Sequence, residues 1–233
     1  IGGGDAIVIG AMSTRRHGCD DRAMPSAATL SRRAFAAFSA ALLLLLAASG
    51  WRPFETGTWV LEVAPVVVVL PILWLTQRRF PLTPLLYALI FAQACVLMLG
   101  GHYTYARVPL GEWMREVFAL ERNHYDRIGH FMQGFVPAIV ARELLLRHTG
   151  LQRGGWLFTV VSAVALAVSA IYELIEWLAA SVVAPEVGQA YLGTQGDVWD
   201  AQKDMALATL GSLIVHPWWL WCWSRSAGAQ TPE

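Results

Sequence analysis

Six apolar stretches, residues 34–50, 58–75, 82–103, 125–147, 156–182 and 200–223, take up most of this chain. Each is near the roughly 20 residues that an α-helix needs to cross a hydrocarbon core. Lipid gives backbone N–H and C=O groups no partner, so a chain crossing it satisfies them internally, as a helix does. Hydrophobic residues make up 56% of the sequence, in keeping with a chain solvated mainly by lipid. The fold expected is therefore all-α, a polytopic membrane protein built as a six-transmembrane-helix bundle. Pro65, Pro71 and Pro137 lie inside spans, where packing against neighbouring helices tolerates them.

The remaining segments complete the plan. Residues 1–31 mix Gly, Arg, Asp and Ser without apolar periodicity and read as a flexible N-terminal tail. Residues 32–225 form the membrane domain and 226–233 a second flexible tail. The first apolar run reads as an uncleaved span, because no small-x-small cleavage site follows it and more spans do. Residues 109–122 differ: Leu110, Trp113, Met114, Val117 and Leu120 gather on one side, and Glu112, Arg115, Glu116 and Arg122 on the other. With Pro109 in the first turn, this pattern predicts a short helix lying at the membrane interface.

Orientation follows from the basic residues of the short loops. Arg32 and Arg33, Arg78 and Arg79, Arg147 and Arg153, and Arg225 fall on one side if the spans alternate. The positive-inside rule makes that side cytoplasmic, with both termini there, as in a multi-pass protein of a bacterial inner (plasma) membrane. Net charge is zero, so no overall basic field points to nucleic acid. Membrane lipids are the expected surroundings, and a lipid-linked or small-molecule substrate the expected partner. Cys19, Cys95 and Cys222 are too scattered for a disulfide framework or a thiolate metal motif. Trp218, Trp219, Trp221 and Trp223 read as an interfacial belt at the end of the last span.

Acids within these spans carry the functional signal. A charged side chain at the bilayer centre costs roughly 2.5–3.5 kcal/mol on insertion scales, so it persists where it meets partners or lines a cavity. Helical residues advance by about 100° each. On the fourth span that phase places Asp126, His130, Gln133 and Pro137 in one stripe; on the fifth it aligns Ser162, Ser169, Glu173 and Glu176. On the sixth, Asp197, Asp200, Asp204, Ala208 and Gly211 align. Depth agrees, since all three stripes fall in the outer half of the bilayer, and His102 at the end of the third span or Asn123 would reach the rim. Small residues such as Ala208 and Gly211 let helices close up beneath the acids.

Bland readings exist for several of these groups. Asp197 follows Thr194-Gln195-Gly196 and would serve as a helix cap, Asp126 also starts a helix, and His130 alone would pass as a packing residue. Glu173 and Glu176 resist such a reading: two carboxylates one turn apart must share protons, meet Arg127 or Lys203, or bind a cation. Asp126, His130, Glu173, Glu176, Asp200 and Asp204 are the candidate ligands of a divalent metal, and His130, Asp126 and Glu173 the candidate catalytic groups. A proton relay in a transporter and a polar core that only fixes helix packing are the alternatives.

Three strings carry a resemblance: Asn123 to Phe131 (NHYDRIGHF), Tyr172 to Trp177 (YELIEW) and Leu192 to Met205 (LGTQGDVWDAQKDM). They resemble the YjdF-type bacterial inner-membrane proteins over roughly residues 30–225. More distantly, Asp126-Arg127 with His130-Phe131, a Glu-bearing span and an Asp-rich helix before Gly211 are similar in order to the VanZ-like membrane proteins. Those are associated with resistance to glycopeptide antibiotics acting on the cell envelope. Arg127 stands where that family typically has Lys, and Glu176 where it often has Gln. The resemblance implies the architecture and an envelope setting. The residues themselves suggest a metal-assisted hydrolase or transferase acting on a lipid or lipid-linked substrate from the outer side.

Overall fold

The computed structural model describes residues 29–183, 188 and 191–228, with the backbone alone for 216–228. The proposed tail segments 1–28 and 229–233, Cys19 and the tryptophan side chains of the last span lie outside this description. The described residues are helical and contain no strand. The elements in chain order are α1 (Arg32–Ser49), α2 (Thr56–Thr76), α3 (Pro84–Tyr103), a short 3₁₀ turn (Tyr105–Arg107), α4 (Pro109–Val117), α5 (Tyr125–His148), α6 (Gly155–Val182) and α7 (Asp200–Gly228).

Sequence chemistry sets the helix starts. Ser31 accepts a hydrogen bond from the Ala34 N–H, and Glu55 caps α2 by accepting from the Gly57 and Thr58 N–H groups. Pro84 and Pro109 occupy first-turn positions, where a missing N–H costs nothing. Pro65 and Pro71 in α2 and Pro137 in α5 sit inside continuous helices, as expected.

Four helices, α1, α2, α3 and α6, are long and apolar enough to cross a membrane. Helices α5 and α7, with 24 and 29 residues, have the length but open on the charged residues of the site. The expected interfacial helix is shorter than its amphipathic pattern. It ends at Val117, because Ala119 takes a left-handed backbone (φ 51°) and the Leu120 N–H turns back to the Arg115 carbonyl. The chain then delivers Arg122 and Asn123 inward instead of along the surface. Trp113, Val117 and Phe118 remain exposed on its apolar side.

Helix α5 is the hub, packing against α3, α6 and α7, while α1 and α2 pack on α3. One apolar cluster joins Phe35, Leu86, Ala138, Ile139, Leu157 and Val161 at the end of the bundle where α5 finishes. A second, with Leu42, Val63, Val66, Ala94 and Met98, holds α1, α2 and α3 together, and Cys95 packs beside it as an apolar filler. Helices α5 and α7 approach most closely through glycine: a Cβ on Gly134 would overlap the Ala208 carbonyl, and one on Gly211 the Phe131 carbonyl. Both belong to stripes of small residues that let helices touch backbone to backbone.

Substituting Gly134 by Ala should therefore force α5 and α7 apart and lower the melting temperature by several degrees, with about 1–3 kcal/mol lost to overpacking. Gly155→Ala, which meets nothing within 4 Å, should leave the melting temperature essentially unchanged. Equal shifts in thermal unfolding of the two purified variants would contradict this packing.

Candidate functional site

The starts of α2, α5 and α7 and the end of α6 share one end of the bundle, and the polar residues lie within about two turns of it. Asp126 and His130 stand on the first turns of α5, Glu173 and Glu176 near the end of α6, and Asp200 and Asp204 on the first turns of α7. All of these are buried except Glu173, which is nearly so. They divide into two layers.

The outer layer is a set of ion pairs. The Arg122 guanidinium lies 2.6 Å from Asp200 and donates to the carbonyls of Thr194 (2.9 Å) and Gly193 (3.1 Å). Arg127 reaches Asp200 at 2.6 Å and Asp197 at 3.1 Å and also pairs with Asp204. Lys203 bonds Asp197 at 2.6 Å. Two arginines from the α5 side thus hold three aspartates from the α7 side. The hydrogen bond from Lys203, followed by that from the Trp199 N–H, holds the Asp197 carboxyl below its usual range. Burial, then the Arg122 and Arg127 charges, pushes the neighbouring His124 imidazole down.

Backbone turns prepare this layer. Gly193 and Gly196 (φ 60° and 88°) adopt the left-handed conformation that glycine tolerates, which brings Gln195 against Asn123. The Asn123 N–H donates to Gln195 Oε1 at 3.1 Å, and Gln195 Nε2 donates to the Asn123 carbonyl at 2.9 Å. Asn123 is fully enclosed; its Oδ1 accepts from the Tyr125 N–H at 3.0 Å and its amide donates to the Val108 carbonyl. Its role is to clamp the start of α5 rather than to line a rim.

The inner layer centres on His130. Its Nε2 lies 3.3 Å from Asp126 and 3.9 Å from Asp204, and its Nδ1 lies 3.5 Å from Glu173. Two sets of candidate ligands share this ring: Asp126, His130 and Asp204, and His130, Glu173 and Glu176. Within each set the donor atoms lie within 4.8 Å of one another. Ligands bound at about 2.0–2.2 Å are separated by roughly 4 Å at most, so small side-chain shifts would close either set on an ion. The buried atoms His130 Nδ1 and Glu173 Oε1 face each other with no hydrogen-bond partner.

The expected convergence of Asp126, His130, Glu173, Glu176 and Asp204 is what the geometry shows, but Asp200 stands apart. It is engaged by both arginines and belongs to neither ligand set. The reason is pairing: Asp200 Oδ1 lies 2.6 Å from each guanidinium, which commits this carboxylate to the ion-pair layer. Arg127 and Lys203, considered above as partners for the glutamates, are taken by the aspartates instead. Asp197 accepts from the Trp199 N–H at 3.1 Å in the turn before α7, which closes that turn and does not cap a helical N–H as expected. His102 lies away from the site, with its Nδ1 2.8 Å from the Ser49 carbonyl, because α3 faces the end of α1 there.

Four residues escaped the sequence pattern. Glu62, 1% exposed, stands on α2, where Tyr172 donates to it at 3.4 Å. A single acid in an otherwise apolar span with no polar stripe gives phase nothing to align; its bare presence in lipid was the usable signal. Tyr105 and Tyr172 carry no spacing signal that points to the site. Arg122 read as the polar face of an interfacial helix.

Breaking a buried ion pair from one side costs about 3–5 kcal/mol, because it leaves the partner charge uncompensated. Arg127→Leu should accordingly lower thermal stability sharply, whereas Lys203→Ala, whose side chain is 56% exposed, should change it by under about 1 kcal/mol. Thermal melts of the two variants in detergent test this, and equal effects would contradict the layering.

Comparison with known proteins agrees with the membrane architecture. Residues 34–226 match the model of a family described as "Predicted membrane protein (DUF2238)". The Inner membrane protein YjdF of Escherichia coli (strain K12) is 51% identical over 174 residues, which cover 75% of this chain and 83% of that protein. No solved structure matches the chain. This membrane protein, with its paired arginines and aspartates above a histidine–carboxylate centre, belongs to the DUF2238 family of predicted membrane proteins.

Proposed function

We propose that this protein is a metal-assisted hydrolase or transferase of the cell envelope, acting on a lipid or lipid-linked phosphate at the outer face of a bacterial inner membrane. The observation that carries the proposal is the pair of ligand sets sharing His130, with buried, unpartnered His130 Nδ1 and Glu173 Oε1 facing each other. Glu62, Glu173 and Glu176 gather at this centre while the nearby fixed cations pair with Asp126, Asp197, Asp200 and Asp204. That imbalance favours a bound cation.

A neutral imidazole ligates through one nitrogen and donates from the other. The glutamate side has no guanidinium, so the ion belongs between His130 Nδ1, Glu173 and Glu176, while Nε2–H donates to Asp126 and fixes the ring. Carboxylate-rich ligation with one imidazole suits Mg²⁺ or Mn²⁺ and admits Zn²⁺. Such an ion would polarise a phosphoryl oxygen and lower the pKa of a water, and Asp126, on the far side of the His130 ring, would handle the proton.

This reading includes six spans, with α5 and α7 crossing the membrane beside the four apolar helices and both termini cytoplasmic. The arginines of the 78–79 and 147–153 segments support that orientation. Proton-coupled transport, the second reading, has in its favour the carboxylate on each side of His130. Against it, the described inner acid Glu143 is tied to Arg147 and Thr83, and the space beneath the site is apolar.

Reporter fusions after Arg79 and after Arg153 should both report cytoplasm, and periplasmic activity at either would overturn the orientation. Comparative lipidomics of cells lacking the protein should reveal an altered lipid or lipid-linked species. Wild type should restore it, and His130→Ala should not. Unchanged lipids, together with proton-gradient-driven solute uptake into proteoliposomes, would overturn the enzyme in favour of transport.

A further inference from the structure

A cavity of about 510 Å³ runs down the bundle from the site, within the usual range of ligand pockets. Tyr105, Asp126, His130, Tyr172 and Glu176 form its polar end. Below them the lining is almost wholly aliphatic, with Gln93 and Gln133 the exceptions. On α5 the lining positions extend from Asp126 to Leu144, roughly 27 Å at about 1.5 Å per residue. That length approaches the hydrocarbon thickness of a leaflet pair, about 30 Å, so the space is long and narrow.

The cavity also has a side opening. Val69 and Ile72 on α2 and Val164 and Val168 on α6 line it and are at the same time exposed on the outside of the bundle. Apart from the Tyr172–Glu62 hydrogen bond at the polar end, α2 and α6 make little contact. Both helices are apolar enough to cross a membrane, so the gap between them faces acyl chains rather than water. An empty slot of this length would forfeit dispersion contacts along its walls, and a hydrocarbon chain entering sideways would restore them.

We infer that this slot holds one extended hydrocarbon chain of a membrane lipid, entering between α2 and α6, with the lipid's polar headgroup against Asp126, His130 and Glu176. The inference rests on the proposed lipid chemistry for the identity of the site, and it deepens it. The substrate is bound by its tail inside the protein, so its class is a lipid and not a soluble phosphate. Specificity for chain bulk then lies with the small rim residues Val164 and Val168, about one to three turns below the acids of α6.

A phosphatidylethanolamine carrying a diazirine at the end of one acyl chain tests this directly in proteoliposomes of the full chain. Photolysis should place adducts on Leu73, Leu82 and Val136, which line the slot and are hidden from the outer surface. Val168→Trp should reduce those adducts by about tenfold, the factor that accompanies the loss of roughly two buried methylenes. Val164→Phe, a milder filling, should reduce them in the same direction if the Trp variant fails to fold. Leu174→Trp, on the lipid-facing side of α6, should have no effect. Adducts confined to outward residues such as Ile171 and Leu174, or chain-to-chain cross-links at the rim in their place, would overturn the slot. Because labelling needs no turnover and proceeds in chelator, a labelled slot without restored lipids would overturn the enzymatic reading and leave this one standing.

Discussion

The pairing of Arg122 and Arg127 with Asp197, Asp200 and Asp204 is the constraint on which the rest of the site depends. It brings the start of α5 against the start of α7 and fixes the depth at which His130 sits. Charges this close to lipid are costly singly and tolerable together, since each guanidinium answers more than one carboxylate and also satisfies loop carbonyls. Close packing of Gly134 on Ala208 and of Gly211 on Phe131 continues the contact one to two turns deeper. Ion pairs outside and glycine contacts inside therefore hold α5 and α7 as one unit.

Because the arginines are committed to the aspartates, the glutamates of the centre are left without a fixed cation. Glu62 and Glu176 are buried, and Glu173 nearly so, without any guanidinium partner. The two nitrogens of one imidazole face different carboxylates, Asp126 at Nε2 and Glu173 at Nδ1, and the proposed metal would take the second as its ligating side. Tyr172 closes the α2 side by donating to Glu62, with Tyr105 beside it in the lining, so the polar centre ends abruptly at an aliphatic wall. Polar chemistry and hydrocarbon thus meet at a single boundary, as a site for amphipathic molecules requires.

Much of this was legible in the residues. A period of 3.6 placed Asp126 with His130, and Glu173 with Glu176, on faces that do meet, because burial of charge in lipid leaves a helix little freedom to rotate. Choice of partner was not legible. Nothing in the spacing tells whether Arg127 meets Glu173 or Asp204, since that depends on the offset between helices. Glu62 lay on a span whose other residues gave no polar face. The end of α4 at Val117 was hidden because the amphipathic pattern continues to Arg122 while the backbone turns at Ala119.

The claim that most of this account rests on is that the His130 centre binds a divalent cation. Elemental analysis by plasma mass spectrometry of protein purified without chelator, dialysed against metal-free buffer, measures it most directly. The account predicts about one divalent ion per chain, in line with a single ligating nitrogen on His130, and its loss in both His130→Ala and Glu173→Gln while the fold persists. Metal content at background in the wild type after incubation with Mg²⁺, Mn²⁺ or Zn²⁺, or equal content in all three proteins, would contradict it.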